Sequence, residues 1–310
     1  MTEPGADPQA ARSAALRRAG RIAGRLLMLA AFAFLAWEIQ RQWGRLSGWR
    51  PTPSQLWMLA GLCILHGAAF FLQALNWLTL VRALTSAPLP TKAVLRSFTE
   101  TQIAKYVPGN VMHFVGRHIY LKAYGVAHKT IVTATLLEIA SLPIAAVTTI
   151  CILAPFVDWS GIGYGIETYA PFLPVLALAG LGLGGAVALR LGYRSILPAG
   201  RRVLVRAVLY MLLQGAIFAA TLWMIGGSFV LLAVPLAILS WLVGFLTPGA
   251  PGGMGIREAL LVSLLGAAVP TDVALLAALI FRIITTAGDV ILFATGRLFL
   301  RGVPQPDPVS

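Results

Sequence analysis

The sequence predicts an all-α, polytopic helical membrane protein with about seven full spans and two Pro/Gly-broken re-entrant half-helix segments. Three observations carry this. Of the 310 residues, 58% are hydrophobic and 11% charged, against ~25% charged in ordinary soluble domains. Apolar runs long enough to cross ~30 Å of hydrocarbon alternate with short basic links. Two stretches at membrane depth are rich in proline and glycine yet carry charge, which no ordinary membrane helix does. The net charge of +13 is not a nucleic-acid signal, because the basic residues sit between apolar runs. There they set topology and meet anionic headgroups.

Residues 1–20 read as a disordered basic cytoplasmic tail, 21–300 as a single transmembrane domain, and 301–310 as a short Pro-rich tail. No small-residue cleavage site follows the first apolar run, so no cleavable signal peptide is expected. Arg12, Arg17, Arg18, Arg21 and Arg25 precede a first span over Leu26–Trp43 and place the N-terminus in the cytoplasm. Trp37, Trp43 and Trp49 suit an aromatic belt at the opposite interface. The second span, Leu56–Val81, carries His66, Gln73 and Asn76, which are costly in lipid and so should face other helices.

Arg82, Lys92 and Arg96 bring the chain back to the cytoplasmic side. Ser97–Gly125 then holds Glu100, Lys105, Asn110, His113 and Arg117 around a break at Pro108 and Gly109. A re-entrant hairpin accommodates this set and a full span does not. The third span, Ile131–Pro155, contains Glu138. The fourth is Phe172–Leu189, after a loop without Lys or Arg. Arg190, Arg194, Arg201, Arg202 and Arg206 mark the next link as cytoplasmic. Spans five and six, Val205–Ile225 and Phe229–Leu246, precede the second break, and Val273–Phe299 is the last span. Arg41, Arg45, Arg50, Arg297 and Arg301 fall on the outer side of this outline. Seven spans with two same-side hairpins put the C-terminus outside; a second stretch that crosses would return it inside. Gly182, Gly184 and Gly185 read as a close helix-packing stripe.

The second break, Pro248 to Glu258, is the most informative stretch. Its prolines cannot sustain the hydrogen-bond ladder, and its glycines allow sharp turns or close approach. Met254–Leu265 then reads as a half-helix of ~18 Å, too short to span. Such a helix aims unpaired N–H groups and partial positive charge at whatever lies before it. A phosphate suits that end. The amides from Gly253 through Gly255 to Ile256 are the expected donors, with Arg257 adding a forked contact. Arg117 would do the same from the first hairpin, flanked by Lys105 and His113. The alternative for both arginines is snorkelling to the interface. Glu258 either pairs with Arg282 or simply favours the helix N-terminus. Arg282 and Asp289 are seven apart on one helical face. They either balance Glu138 and Glu258 as a buried charge network or line a path for cargo; a proton-coupling role for Asp289 stays open.

The two broken stretches form a weak internal repeat. Arg117 follows Gly109 by the same eight residues that separate Arg257 from Gly249. Each stretch ends in glycine (Gly125, Gly266) and leads through a polar link into a long span with a buried charge, Glu138 or Arg282. Paired interrupted segments in corresponding halves point to a transporter's binding site.

Tyr106-Val-Pro-Gly-Asn110, with Gly116-Arg117 and Tyr124-Gly-Val126, resembles the first signature of the flippase-like membrane family related to the membrane domain of bacterial lysylphosphatidylglycerol synthase. Pro251-Gly-Gly-Met-Gly-Ile-Arg-Glu258 resembles the second. The resemblance covers roughly residues 20–300 and implies a multi-pass protein of the bacterial inner membrane that moves a lipid between leaflets. Relatives are linked to aminoacylated phospholipids, hopanoids and polyprenyl-linked glycans. The soluble aminoacyl-transferring domain is not among these residues, so lysyl transfer is not expected.

The expected partner is therefore a membrane lipid with an anionic headgroup or a polyprenyl carrier, not nucleic acid. A homo-oligomer or a lipid-biosynthesis enzyme is the protein partner the sequence leaves open. No catalytic residue, cofactor or metal is expected: Cys63 and Cys151 lie in apolar runs, and His66, His113, His118 and His128 lack metal spacing. Nucleotide motifs are missing too, which argues against ATP-driven transport by this chain alone. Two other readings remain: a non-catalytic scaffold for a lipid-modifying enzyme, and a membrane enzyme acting on a lipid phosphate through His113 or Glu258.

Overall fold

The structure is a computed structural model that describes residues 40, 48–107, 111–160, 166–190, 192–226, 231–247, 255–266 and 268–300. Both expected tails and, apart from Gln40, the first expected span, Leu26–Trp43, lie outside the described residues. So do Pro108, Gly109 and the stretch from Pro248 to Met254, including Gly253.

All the regular secondary structure among the described residues is helical, without strands. We number the helices α1 (Pro53–Leu84), α2 (Thr91–Thr101), α3 (Met112–Lys122), α4 (His128–Leu153), α5 (Leu173–Arg190), α6 (Leu197–Gly226), α7 (Ala233–Leu246), α8 (Ile256–Leu265) and α9 (Thr271–Phe299). Five segments, containing α1, α4, α5, α6 and α9, are long and apolar enough to cross a membrane. Local sequence sets their ends. Thr52 and Gln55 form a capping box before α1, and Pro53 occupies its first position, where a missing N–H costs nothing.

Where the sixth span is expected, Phe229–Leu246, the described helix is shorter than the expected run. The helix there is α7, with 14 residues and an expected rise of ~21 Å, short of a ~30 Å core. α7 packs with α8. Ser240 Oγ donates to the Arg257 carbonyl at 2.8 Å, and a Cβ on Gly244 would lie 2.6 Å from Arg257 Cγ. A second helical hairpin lies around the first break. After α2 the chain tightens into a 3₁₀ turn over Gln102–Tyr106; beyond the break, α3 returns so that Gly116 meets Thr101 and Arg117 meets Phe98 and Gln102.

Long helices enclose these hairpins. α1 packs on α6 and α9, and its polar groups face inward as expected: His66, Gln73 and Asn76 are all buried. Asn76 Nδ2 reaches the Val203 carbonyl of α6 at 3.3 Å, and Arg206 of α6 reaches Thr79 of α1 at 2.8 Å. α1 and α9 run side by side in the same direction, joined where Gly67 meets Gly288. α2 and its 3₁₀ turn run opposite to α9: Thr99 meets Gly296, while Tyr106 meets Asp289.

This arrangement bears on Arg297, whose side the sequence leaves open. Its Nε lies 3.7 Å from Glu100, which also pairs with Arg96 at 2.8 Å. The end of α9 therefore lies at the Arg82/Arg96 end of the bundle, not opposite it. The first hairpin hangs from that same end, because α2 follows directly on α1. The second hangs from the other end, because α8 leads straight into the start of α9.

The glycine stripe of α5 makes no close helix contact among the described residues: none of their atoms lies within 4 Å of a Cβ built on Gly180, Gly182, Gly184 or Gly185. No residue of α5 is buried, so the stripe faces away from the described helices.

Candidate functional site

The two hairpins and α1, α4, α6 and α9 surround one cavity of about 400 Å³, within the usual range of ~300–1,000 Å³ for ligand sites. Of the described candidate residues, Lys105, His113, Arg117, Glu138, Arg257, Glu258, Arg282 and Asp289 line it, whereas Gly255 and Ile256 do not. Its ionisable lining thus holds four cations and three carboxylates, one positive charge in excess.

The charges sort into paired sets that spacing did not reveal. Arg117 is buried, with Nη1 on Glu138 Oε2 at 2.6 Å and Nη2 on Gln102 Oε1 at 2.6 Å. Its guanidinium also lies 3.9 Å from the Phe98 ring centre and faces Trp77 at 5.2 Å. Burial of such a pair requires this close compensation. Among the described contacts, Arg117 is therefore fastened to Glu138, and that carboxylate serves Arg117.

Asp289 is the centre of a second set. Its Oδ2 accepts from Tyr106 Oη and pairs with Lys105 Nζ at 2.6 Å. Lys105 also sits 4.4 Å from the Phe70 ring centre, a cation–π contact. Oδ1 faces His66 Nε2 at 3.6 Å, too long for a hydrogen bond. The other ring nitrogen, Nδ1, lies 2.8 Å from Gln214 Oε1, and Gln214 Nε2 donates to Tyr210 at 3.0 Å.

Arg257 differs from both. No ion pair to it occurs among the described residues, and its Nε lacks a hydrogen-bond partner there. It is held by packing: Gly244 leaves room for its stem, and the guanidinium lies 5.7 Å from the Trp241 ring centre. Trp241 in turn stacks on Phe245 at 4.9 Å. Together they place a forked donor beside an aromatic wall. Buried His113 also leaves Nδ1 without a partner among the described residues.

The half-helix terminus is arranged differently from the sequence expectation. Gly255 has φ +81°, in the left-handed region open to glycine. Its N–H donates to Glu258 Oε2 at 2.8 Å, so this amide is already occupied. Glu258 thus caps its own helix. Gly253, Pro108 and Gly109 lie outside the described residues. Sequence reasoning did not single out Tyr210, Gln214 or Gln102. The signal was there for two of them: Tyr210 and Gln214 are polar residues one turn apart in an apolar helix.

No curated protein matches the chain. A family model described as the lysylphosphatidylglycerol synthase TM region matches residues 21–292. That span contains all the cavity residues named above. The chain belongs to the family of lysylphosphatidylglycerol synthase transmembrane regions, and its chemistry is that of a multi-pass membrane domain concerned with lipid.

Proposed function

We propose that this chain is a lipid translocase of the bacterial inner membrane, which carries an anionic headgroup through the cavity while the acyl or polyprenyl tails stay in the bilayer. The observation that carries the reading is Arg257: a guanidinium on the cavity wall without a carboxylate partner among the described residues. The other two assigned cations, Lys105 and Arg117, are matched by Asp289 and Glu138. A phosphate oxygen supplies what Arg257 lacks, and forked geometry favours it. In this reading the α2/α3 and α7/α8 hairpins are re-entrant and enter from opposite faces. Their broken tips stay buried in protein or next to a wet cavity, the only places where the bilayer tolerates them. With the Arg82 end in the cytoplasm, both termini are cytoplasmic.

The test is movement of fluorescent phosphatidylglycerol across reconstituted vesicles, read by dithionite quenching. A charge-assisted contact worth about 1.5–3 kcal/mol corresponds to roughly 10- to 100-fold in affinity. Arg257→Ala should lower transport by that order at sub-saturating lipid, and Arg257→Lys should be intermediate, because it keeps charge but loses the fork. Transport of phosphatidylglycerol, a polyprenyl phosphate and a hopanoid at unchanged rates in Arg257→Ala would refute the anion site.

A further inference from the structure

We infer that His66 and Asp289 form a proton-binding site, and that loading it adds one positive charge to the cavity and draws in the anionic headgroup. The inference rests on the lipid-translocase reading and names what gates that site.

The hydrogen-bond network leaves room for one proton. Gln214 gives its Nε2 hydrogen to Tyr210 Oη and turns Oε1 toward His66 Nδ1 at 2.8 Å. An amide oxygen accepts and cannot donate, so His66 must donate from Nδ1. A neutral imidazole has no second N–H, and its Nε2 then carries a lone pair. That lone pair faces Asp289 Oδ1 at 3.6 Å, and Oδ1 has no hydrogen-bond partner among the described residues. Both residues are buried, at 2% and 1% exposure, so two acceptors confront each other away from bulk water. One proton between them converts the repulsion into a bond.

The surroundings hold the pair in place. Lys105 and Tyr106 anchor Asp289 Oδ2, so Oδ1 cannot turn away. The close approach of Gly67 and Gly288 brings α1 and α9 near enough to meet. A Cβ on Gly288 would lie 2.5 Å from His66 Cδ2.

The other charged groups around Asp289 are accounted for by element. The 3₁₀ turn supplies Lys105 and Tyr106, α6 supplies Tyr210, α8 supplies Arg257 and Glu258, α3 and α4 supply the Arg117–Glu138 pair, and α9 itself supplies Arg282 two turns earlier. His113 faces the cavity from α3. On α2, Arg96 and Glu100 pair with each other at the far end beside Arg297. Without the proton, Lys105 and Asp289 cancel and the cavity keeps a single excess positive charge. With it, His66 becomes imidazolium, its new N–H bonds Asp289, and the excess doubles. The proton is taken up from the bulk solution, whose buffer gives it up, and no other bond changes. Headgroup and proton therefore load together.

The test uses full-length protein in micelles with ¹⁵N-labelled histidine. On acidification from about pH 8 to about pH 5, His66 Nε2 should gain a proton while Nδ1 stays protonated throughout; the signal is assigned by its loss in His66→Gln. A Nε2 that keeps one protonation state across that range overturns the inference. A pH-indicator dye then follows addition of dioctanoyl phosphatidylglycerol, with dioctanoyl phosphatidylcholine as control. Uptake of up to one proton per protein, specific to the anionic lipid and lost in Asp289→Asn, is expected. Lipid binding without proton uptake also overturns it. Failure of anionic lipid to bind while His66 titrates would sink the translocase reading instead.

Discussion

Replacing Glu138 with leucine strands the Arg117 guanidinium in the core. The two side chains are 1% and 7% exposed and 2.6 Å apart. Guanidinium cannot shed its charge at any ordinary pH, and breaking a buried pair from one side costs ~3–5 kcal/mol. Gln102 and the Phe98 ring remain, but neither neutralises charge. Arg117→Met strands the opposite partner, and here the physics differs. Glu138 can take a proton, at ~1.4 kcal/mol for each pH unit above its ordinary pKa of ~4.3. That caps the penalty near ~3.7 kcal/mol at pH 7. The sign follows from proton linkage: the folded variant holds a proton that the unfolded chain releases, so its stability falls as pH rises above about 4.3. Arg117→Met should therefore recover toward wild type as pH drops from 7 to 5, whereas Glu138→Leu should not. The double variant Arg117→Met/Glu138→Leu should cost less than the two singles together, since no charge stays buried. Thermal unfolding of purified protein in detergent, at pH 5 and 7, reads all four forms. Equal pH response of the two singles, or additivity in the double, would refute the buried-pair account.

Three further outcomes follow from the packing. Gly288→Ala should lower the melting temperature by several degrees and disturb His66, since overpacking of this kind costs ~1–3 kcal/mol; unchanged stability would mean the α1–α9 contact is looser than described. Gly244→Ala should displace Arg257, because the new Cβ falls 2.6 Å from its Cγ. Phosphatidylglycerol transport should then drop as in Arg257→Ala, and transport at the wild-type rate would argue against that coupling. At the basic end of the bundle, His118 lies 3.1 Å from His128. Partial burial pushes its pKa down, with His128 and Lys122 adding to the effect. A depressed folded-state value means a contribution to stability that is present above about pH 6.5 and lost as pH falls through the folded-state pKa. His128→Gln should raise the His118 pKa in an NMR titration; a lower value would contradict the pairing.

The sequence by itself determined the membrane class, the long helices and the two breaks, because hydrophobic length and proline chemistry are local properties. It also named most of the ionisable residues that matter, since charge in an apolar run stands out wherever it occurs. It did not determine their partners. The sequence offers Arg117 as a headgroup ligand, and only tertiary packing reveals Glu138 against it; Asp289 and Lys105, 184 positions apart, pair only because α2 and α9 run in opposite directions. The length of α7 and the sidedness of Arg297 were also tertiary matters. An apolar run from Phe229 reads as a full span, but the described helix has only 14 residues and packs on α8. Gly255 looked like an open donor until Glu258 reached it. In each case the residue type was readable in one dimension, but whether its charge or N–H was already satisfied depended on which helix arrived from elsewhere in the chain, or on how the nearby backbone turned.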